Sequence, residues 1–122
     1  MSKEFKIVVG GIEAEATLND SKTARMVYEA LPIAGKANLW GDEIYFDVNL
    51  EADEENGNET VALGDIALWL AGPALCIFLG NTPISHGNEI RPASTVNVIG
   101  KIKDVSALYR KVKADEKITF QR

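Results

Sequence analysis

Phe5, Ile7 and Val9 occupy every second position, Gly10-Gly11 interrupts, and Ile12, Ala14, Ala16 and Leu18 resume the same period. Period two is the mark of a strand with one buried face, and two glycines between two such runs supply the backbone of a two-residue hairpin turn. The chain therefore opens as two paired antiparallel strands, and everything that follows must build on that hairpin.

Asn19, Asp20 and Ser21 are all good helix caps. Ala24, Val27, Tyr28 and Leu31 then recur at helical spacing until Pro32 forbids continuation. Beyond this amphipathic helix, short apolar segments alternate with turn residues: GKANLW, EIYFDVNL, TVALGDIALWL, GPALCIFLG and STVNVIGKI, with EKITFQR at the end. Each reads as a strand. Asp104 is placed to cap a second helix whose apolar stripe is Val105, Leu108, Tyr109 and Val112. The pattern predicts a mostly β domain over residues 1–122. It takes the form of a small closed barrel of about eight strands whose ends are covered by two short helices.

At 122 residues the chain is long enough to bury a core without disulfides, and its one cysteine, Cys76, can form no internal disulfide and no thiolate metal cluster. The N-terminus MSKEFKIVVGG mixes acid and base instead of presenting a signal's apolar block. No apolar run approaches the roughly 20 residues of a membrane span. A cytoplasmic protein without a membrane role is the expectation. The net charge of −5 argues against nucleic acid as a partner. No Lys or Arg occurs between Ala37 and Ile90, where ten acids do, and bases return from Lys101 onward. Solubility accounts for such a distribution, and contact with a basic partner is the alternative.

The segment SKTARMVYEALP, directly after a hairpin, is similar to the first helix of cyclophilins. The blocks LWGDEIYF, GDIALWLAGPALCIFLGNTP and RPASTVNVIGKI together resemble the small prokaryotic cyclophilin-like proteins of unknown function. The resemblance implies a barrel of strands closed on themselves with two helices over its openings, and no settled activity, since a fold does not determine chemistry. More distant proteins with this barrel form parts of amidohydrolase-type complexes acting on small cyclic or urea-derived amides. Cyclophilins resemble one another in using an arginine, in a Phe-His-Arg type block beside a proline pocket, to weaken the double-bond character of the amide. The corresponding region here, GKANLWGDEIYF, has neither arginine nor histidine, and the Gln-Gly-Gly block is missing. Arg25 falls on the helix facing outward, which leaves Arg91, beside Pro92, as the arginine able to swing toward a pocket.

Cys76 with His86 would make a nucleophile and base if adjacent, but ALCIFLG reads as a buried strand and SHGNE as a solvated turn. The acidic loop 51–59 has oxygen donors for a hard cation without the spacing of a calcium loop, and reads as a flexible, solvated segment. What remains is aromatic. In a barrel about half of such side chains fill the core. The functional alternative places Trp40 and Trp69, with Tyr45 and the polar Thr82, Asn97 and Arg91, around a shallow pocket on one barrel face for a peptide or small molecule. No catalytic residue, metal ligand or cofactor is assigned. A weak prolyl isomerase and a non-enzymatic interaction module are the competing readings.

Overall fold

The opening hairpin forms as its period demands. The computed structural model describes residues 3–122, and in it β1 (Lys3–Val9) pairs antiparallel with β2 (Ile12–Leu18), Val9 opposite Ile12. Gly10 and Gly11 take φ of 56° and 78°, the left-handed values of a primed turn that only glycine adopts without strain. Helix α1 (Lys22–Ala30) follows, with Ser21 Oγ accepting from the Ala24 N–H as its cap. Ala24 and Val27 are buried in the main core. This is the only α-helix among the described residues.

The remaining strands are β3 (Ile33–Lys36), β4 (Asn38–Trp40), β5 (Glu43–Asp47), β6 (Asp65–Trp69), β7 (Ala74–Phe78), β8 (Val96–Ile102) and β9 (Lys117–Gln121). They form one nine-stranded sheet in the order β3-β9-β1-β2-β8-β6-β7-β5-β4, every pairing antiparallel. Its two outermost members are halves of one extended segment. The chain pairs with β9 as far as Lys36 and with β5 from Asn38 onward, and between them Ala37 donates to the Glu116 carbonyl and accepts from the Asp115 N–H, both at 2.8 Å. One segment thus serves both edges and curls the sheet into a nearly closed barrel. Across the seam β3 lies so near β5 that a Cβ on Gly35 would stand 2.9 Å from the Phe46 ring.

Two expectations need correction. Nine strands replace about eight because GKANLW, counted as one strand, changes partner at Ala37. The second helix is absent: after Asp104 there is a 3-10 turn, Val105–Ala107, closed by Asp104 accepting from Ser106, and the chain leaves helical space at Arg110, φ 56°. Half of the expected stripe holds: Leu108 and Val112 are buried in the main core and Val105 packs partly against it, but Tyr109 is exposed. A segment this short needs only a turn to deliver them, and isolated helical turns gain little by continuing.

Inside the barrel, Phe120 meets Phe5 and Phe46 at ring-centroid distances of 5.0 and 5.1 Å, packed with Ile7, Ile66, Leu75, Ile77 and Ile118. Strands β6 and β7 are also covered on their outer face, where Ala67, Cys76, Phe78, Ile90 and Val96 make a second cluster. That explains why GDIALWLAGPALCIFLG is a nearly unbroken apolar run, as strands buried on both faces are. Among the described residues no helix is long and apolar enough to cross a membrane.

Candidate functional site

The outer face of β4, β5, β7 and β6 carries a cleft of about 140 Å³ lined by Trp40, Glu43, Tyr45, Trp69, Cys76, Pro92 and Ala93. Register explains the gathering. Trp40 and Glu43 face each other across the two-residue turn Gly41-Asp42, Tyr45 is opposite Cys76, and Cys76 is opposite Ala67. Cross-strand partners point to the same side of a sheet, as do residues two apart, so Trp40, Glu43, Tyr45, Cys76 and Trp69 must share one face. Gly41 permits the turn: its φ is 63°, and a Cβ there would lie 2.6 Å from the Asn81 carbonyl.

The fourth wall is the long connection after β7. Trp69 Nε1 donates to Ser94 Oγ at 2.7 Å. The Thr82 hydroxyl donates to the Arg91 carbonyl, and Ser85 Oγ accepts from the N–H groups of Thr82 and Arg91, both at 3.0 Å. These bonds set Pro92 and Ala93 over the aromatic floor.

Of the six candidate residues, Trp40, Tyr45 and Trp69 line the cleft together, and the other three do not line it. Thr82 is buried behind the loop it anchors. Arg91 turns its guanidinium to Glu89, 3.0 Å away. Asn97, on the β8 face that meets α1, donates through Nδ2 to Thr23 Oγ1 at 3.0 Å and the Asp53 carbonyl at 2.9 Å, and accepts from the Glu55 N–H at 2.8 Å. The acidic loop 51–59, expected as a flexible, solvated segment, is exposed along most of its length, but Glu55 is tied down. Glu55 accepts from the N–H groups of Lys22 and Thr23, both at 2.9 Å, and from the Thr23 hydroxyl at 2.7 Å. The carboxylate closes the positive end of α1, and those bonds hold its pKa below the usual carboxylate value.

The residue that sequence reasoning missed is Glu43. Its side chain is only 5% exposed, none of the ion pairs among the described residues includes it, and it forms part of the cleft wall. Burial in these apolar surroundings raises its pKa to about 7, against a smaller downward pull from the neighbouring Cys76 thiol. Cys76 is pushed well above the ordinary thiol value, by burial first and by the Glu43 charge second. It is therefore a neutral thiol, and His86 stands exposed in its turn. The signal for Glu43 lay in its phase: an acid in step with Tyr45, one two-residue turn away from Trp40.

The arrangement offers aromatic walls, one carboxyl group with a pKa near neutrality, and an entrance between the sheet and the 79–95 connection. A ligand there would meet ring faces and a single carboxyl group that accepts or donates a proton according to pH.

The model of the family described as cyclophilin-like matches residues 3–121. A hypothetical protein from Archaeoglobus fulgidus, whose structure was solved in solution, is 40% identical, with a TM-score of 0.79 over 98% of this chain and 93% of that one. McbB, solved in complex with tryptophan, has a TM-score of 0.72 at 14% identity over 97% of this chain and 44% of McbB, a likeness of fold. No curated protein matches the chain. With the family model spanning nearly every residue and a full-length relative of the same barrel, this chain belongs to the cyclophilin-like family.

Proposed function

We propose that this protein is a binding module that holds a small molecule, or one side chain of a peptide, in the cleft on the outer face of its barrel. The carrying observation is the convergence of Trp40, Tyr45 and Trp69 from three separate strands around the buried Glu43 carboxyl. Binding sites combine apolar walls with few polar groups, and a carboxyl is expensive to keep in such a place unless something there uses it. The cleft volume of about 140 Å³ matches the ~150 Å³ cavity known to hold one benzene ring. The occupant is therefore one ring or one short branched head, with the rest of the ligand outside.

Arg91, the arginine that an isomerase reading would use, is paired with Glu89, which leaves binding as the reading the geometry favours. The test is a screen of small ring compounds, amines and short proline peptides against isotope-labelled protein. The indole N–H signals of Trp40 and Trp69 and the backbone signal of Ala93 report on the cleft. Hits that move these signals, and that weaken in Trp69→Phe, support the reading. Hits that consistently move other regions and leave these three unshifted refute it.

A further inference from the structure

The cleft joins three features that together select for a particular ligand charge. It has ring faces on several sides, a volume suited to one compact head, and a carboxyl side chain with no ion-pair partner among the described residues. We propose that the cleft recognises an organic ammonium head group, with Glu43 as its counter-ion and Trp40, Tyr45 and Trp69 as its cage, an inference that rests on the reading of this cleft as a binding site.

The surroundings of Glu43 contribute no positive charge. β4 contributes Trp40, β5 Tyr45, β6 Trp69, β7 Cys76 and Phe78, and the overlying connection Pro92 and Ala93. None of these side chains can carry a positive charge, and Cys76 is held neutral by its burial. Asp42, the preceding residue, is turned to Arg110, 3.3 Å away, and Arg91 beside Pro92 is paired with Glu89. The sequence makes this vacancy systematic, since the whole stretch from Asn38 to Glu89, which supplies β4 to β7, has no Lys or Arg.

A buried carboxylate without a counter-ion is costly. A bound ammonium supplies the missing charge, and its alkyl groups lie against ring faces whose quadrupole attracts cations, the principle by which choline and methylated lysine are held in aromatic cages. A neutral molecule of the same shape would gain only the apolar contact. Binding the cation requires the ionised carboxyl, so with a pKa of about 7 in the free protein the affinity should fall about tenfold per pH unit below that value.

Choline and 3,3-dimethylbutan-1-ol, which replaces the charged nitrogen with carbon, make the discriminating pair. Each is titrated into labelled protein at pH 8 and constant ionic strength while the two indole N–H signals are followed. The expected result is that choline binds at least tenfold more tightly than the alcohol, and that Glu43→Gln removes most of the difference. For the unaltered protein, choline binding should weaken from pH 8 to pH 5 by about the factor that separates it from the alcohol at pH 8, while the alcohol's stays level. This second arm keeps the test intact if the variant folds poorly. Equal affinity for the two molecules, or choline binding indifferent to pH, overturns the ammonium assignment and leaves the apolar cleft standing. No shift of either indole by either compound at tens of millimolar overturns the ammonium assignment, and the binding reading then stands or falls by the screen of ring compounds and proline peptides.

Discussion

Replacing Glu43 by Gln should stabilise the ligand-free protein at alkaline pH, although it removes a buried native side chain. The carboxyl titrates at 4.5 in an ordinary environment and at about 7 in the fold. Between those values the folded protein keeps a proton that the unfolded chain has released, so the folded state binds more protons and stability falls as pH rises through the window. Each pH unit is worth ~1.4 kcal/mol, and the side chain is almost fully buried, so solvent screening removes little. Above pH 7 the ionised carboxyl then costs the fold about 3 kcal/mol, whereas the amide is neutral at every pH. Urea denaturation at pH 5, 6, 7 and 8 should therefore show Glu43→Gln close to the parent at pH 5 and ahead by about 3 kcal/mol at pH 8, a rise in Tm of roughly 10 °C for a domain of this size. A stability difference constant with pH, or a variant weaker than the parent at pH 8, would refute the reasoning, for the carboxyl would then be solvated or paired in solution.

Asn97→Ala should cost about 2–3 kcal/mol, measured by the same denaturation, because the Glu55 N–H, the Asp53 carbonyl and Thr23 Oγ1 each lose a hydrogen bond. A loss within error of zero would mean that water replaces all three bonds. Glu55→Ala should lower the Tm and speed amide hydrogen exchange at Lys22 and Thr23, whose N–H groups it accepts. Because the folded pKa of Glu55 is depressed, its contribution is present above the ordinary carboxylate value and lost as pH falls through the lower folded one, so parent and variant should converge in acid. Cys76, buried and raised in pKa, should resist iodoacetamide in native protein at pH 8 and react once denatured. Rapid native alkylation would show that the cleft opens to it.

Much of the architecture was legible from residues alone, and the reasons are local. The hairpin needed Gly10-Gly11 between two period-two runs, α1 needed Ser21 before its stripe and Pro32 after it, and β7 announced its burial by the run ALCIFLG. Other features depended on distant partners. The same Val105, Leu108 and Val112 spacing serves a helix or a turn, and Arg110 with φ 56° decided for the turn. Glu55 looked like one acid among many until the fold set it against the N–H groups of Lys22 and Thr23, more than thirty residues earlier.

The site divides in the same way. The sequence alone determined that Trp40, Tyr45 and Trp69 are strand aromatics, that the stretch around them carries no base, and that the arginine and histidine expected of an isomerase block are missing. Tertiary structure alone decided that these three rings share one outer face, that Thr82 and Asn97 are fasteners elsewhere, and that Glu43 is buried among the rings with no counter-ion among the described residues. The physical reason is that side-chain period is written along the chain, whereas burial and charge pairing depend on register between strands and on a connection folded over them from dozens of residues away.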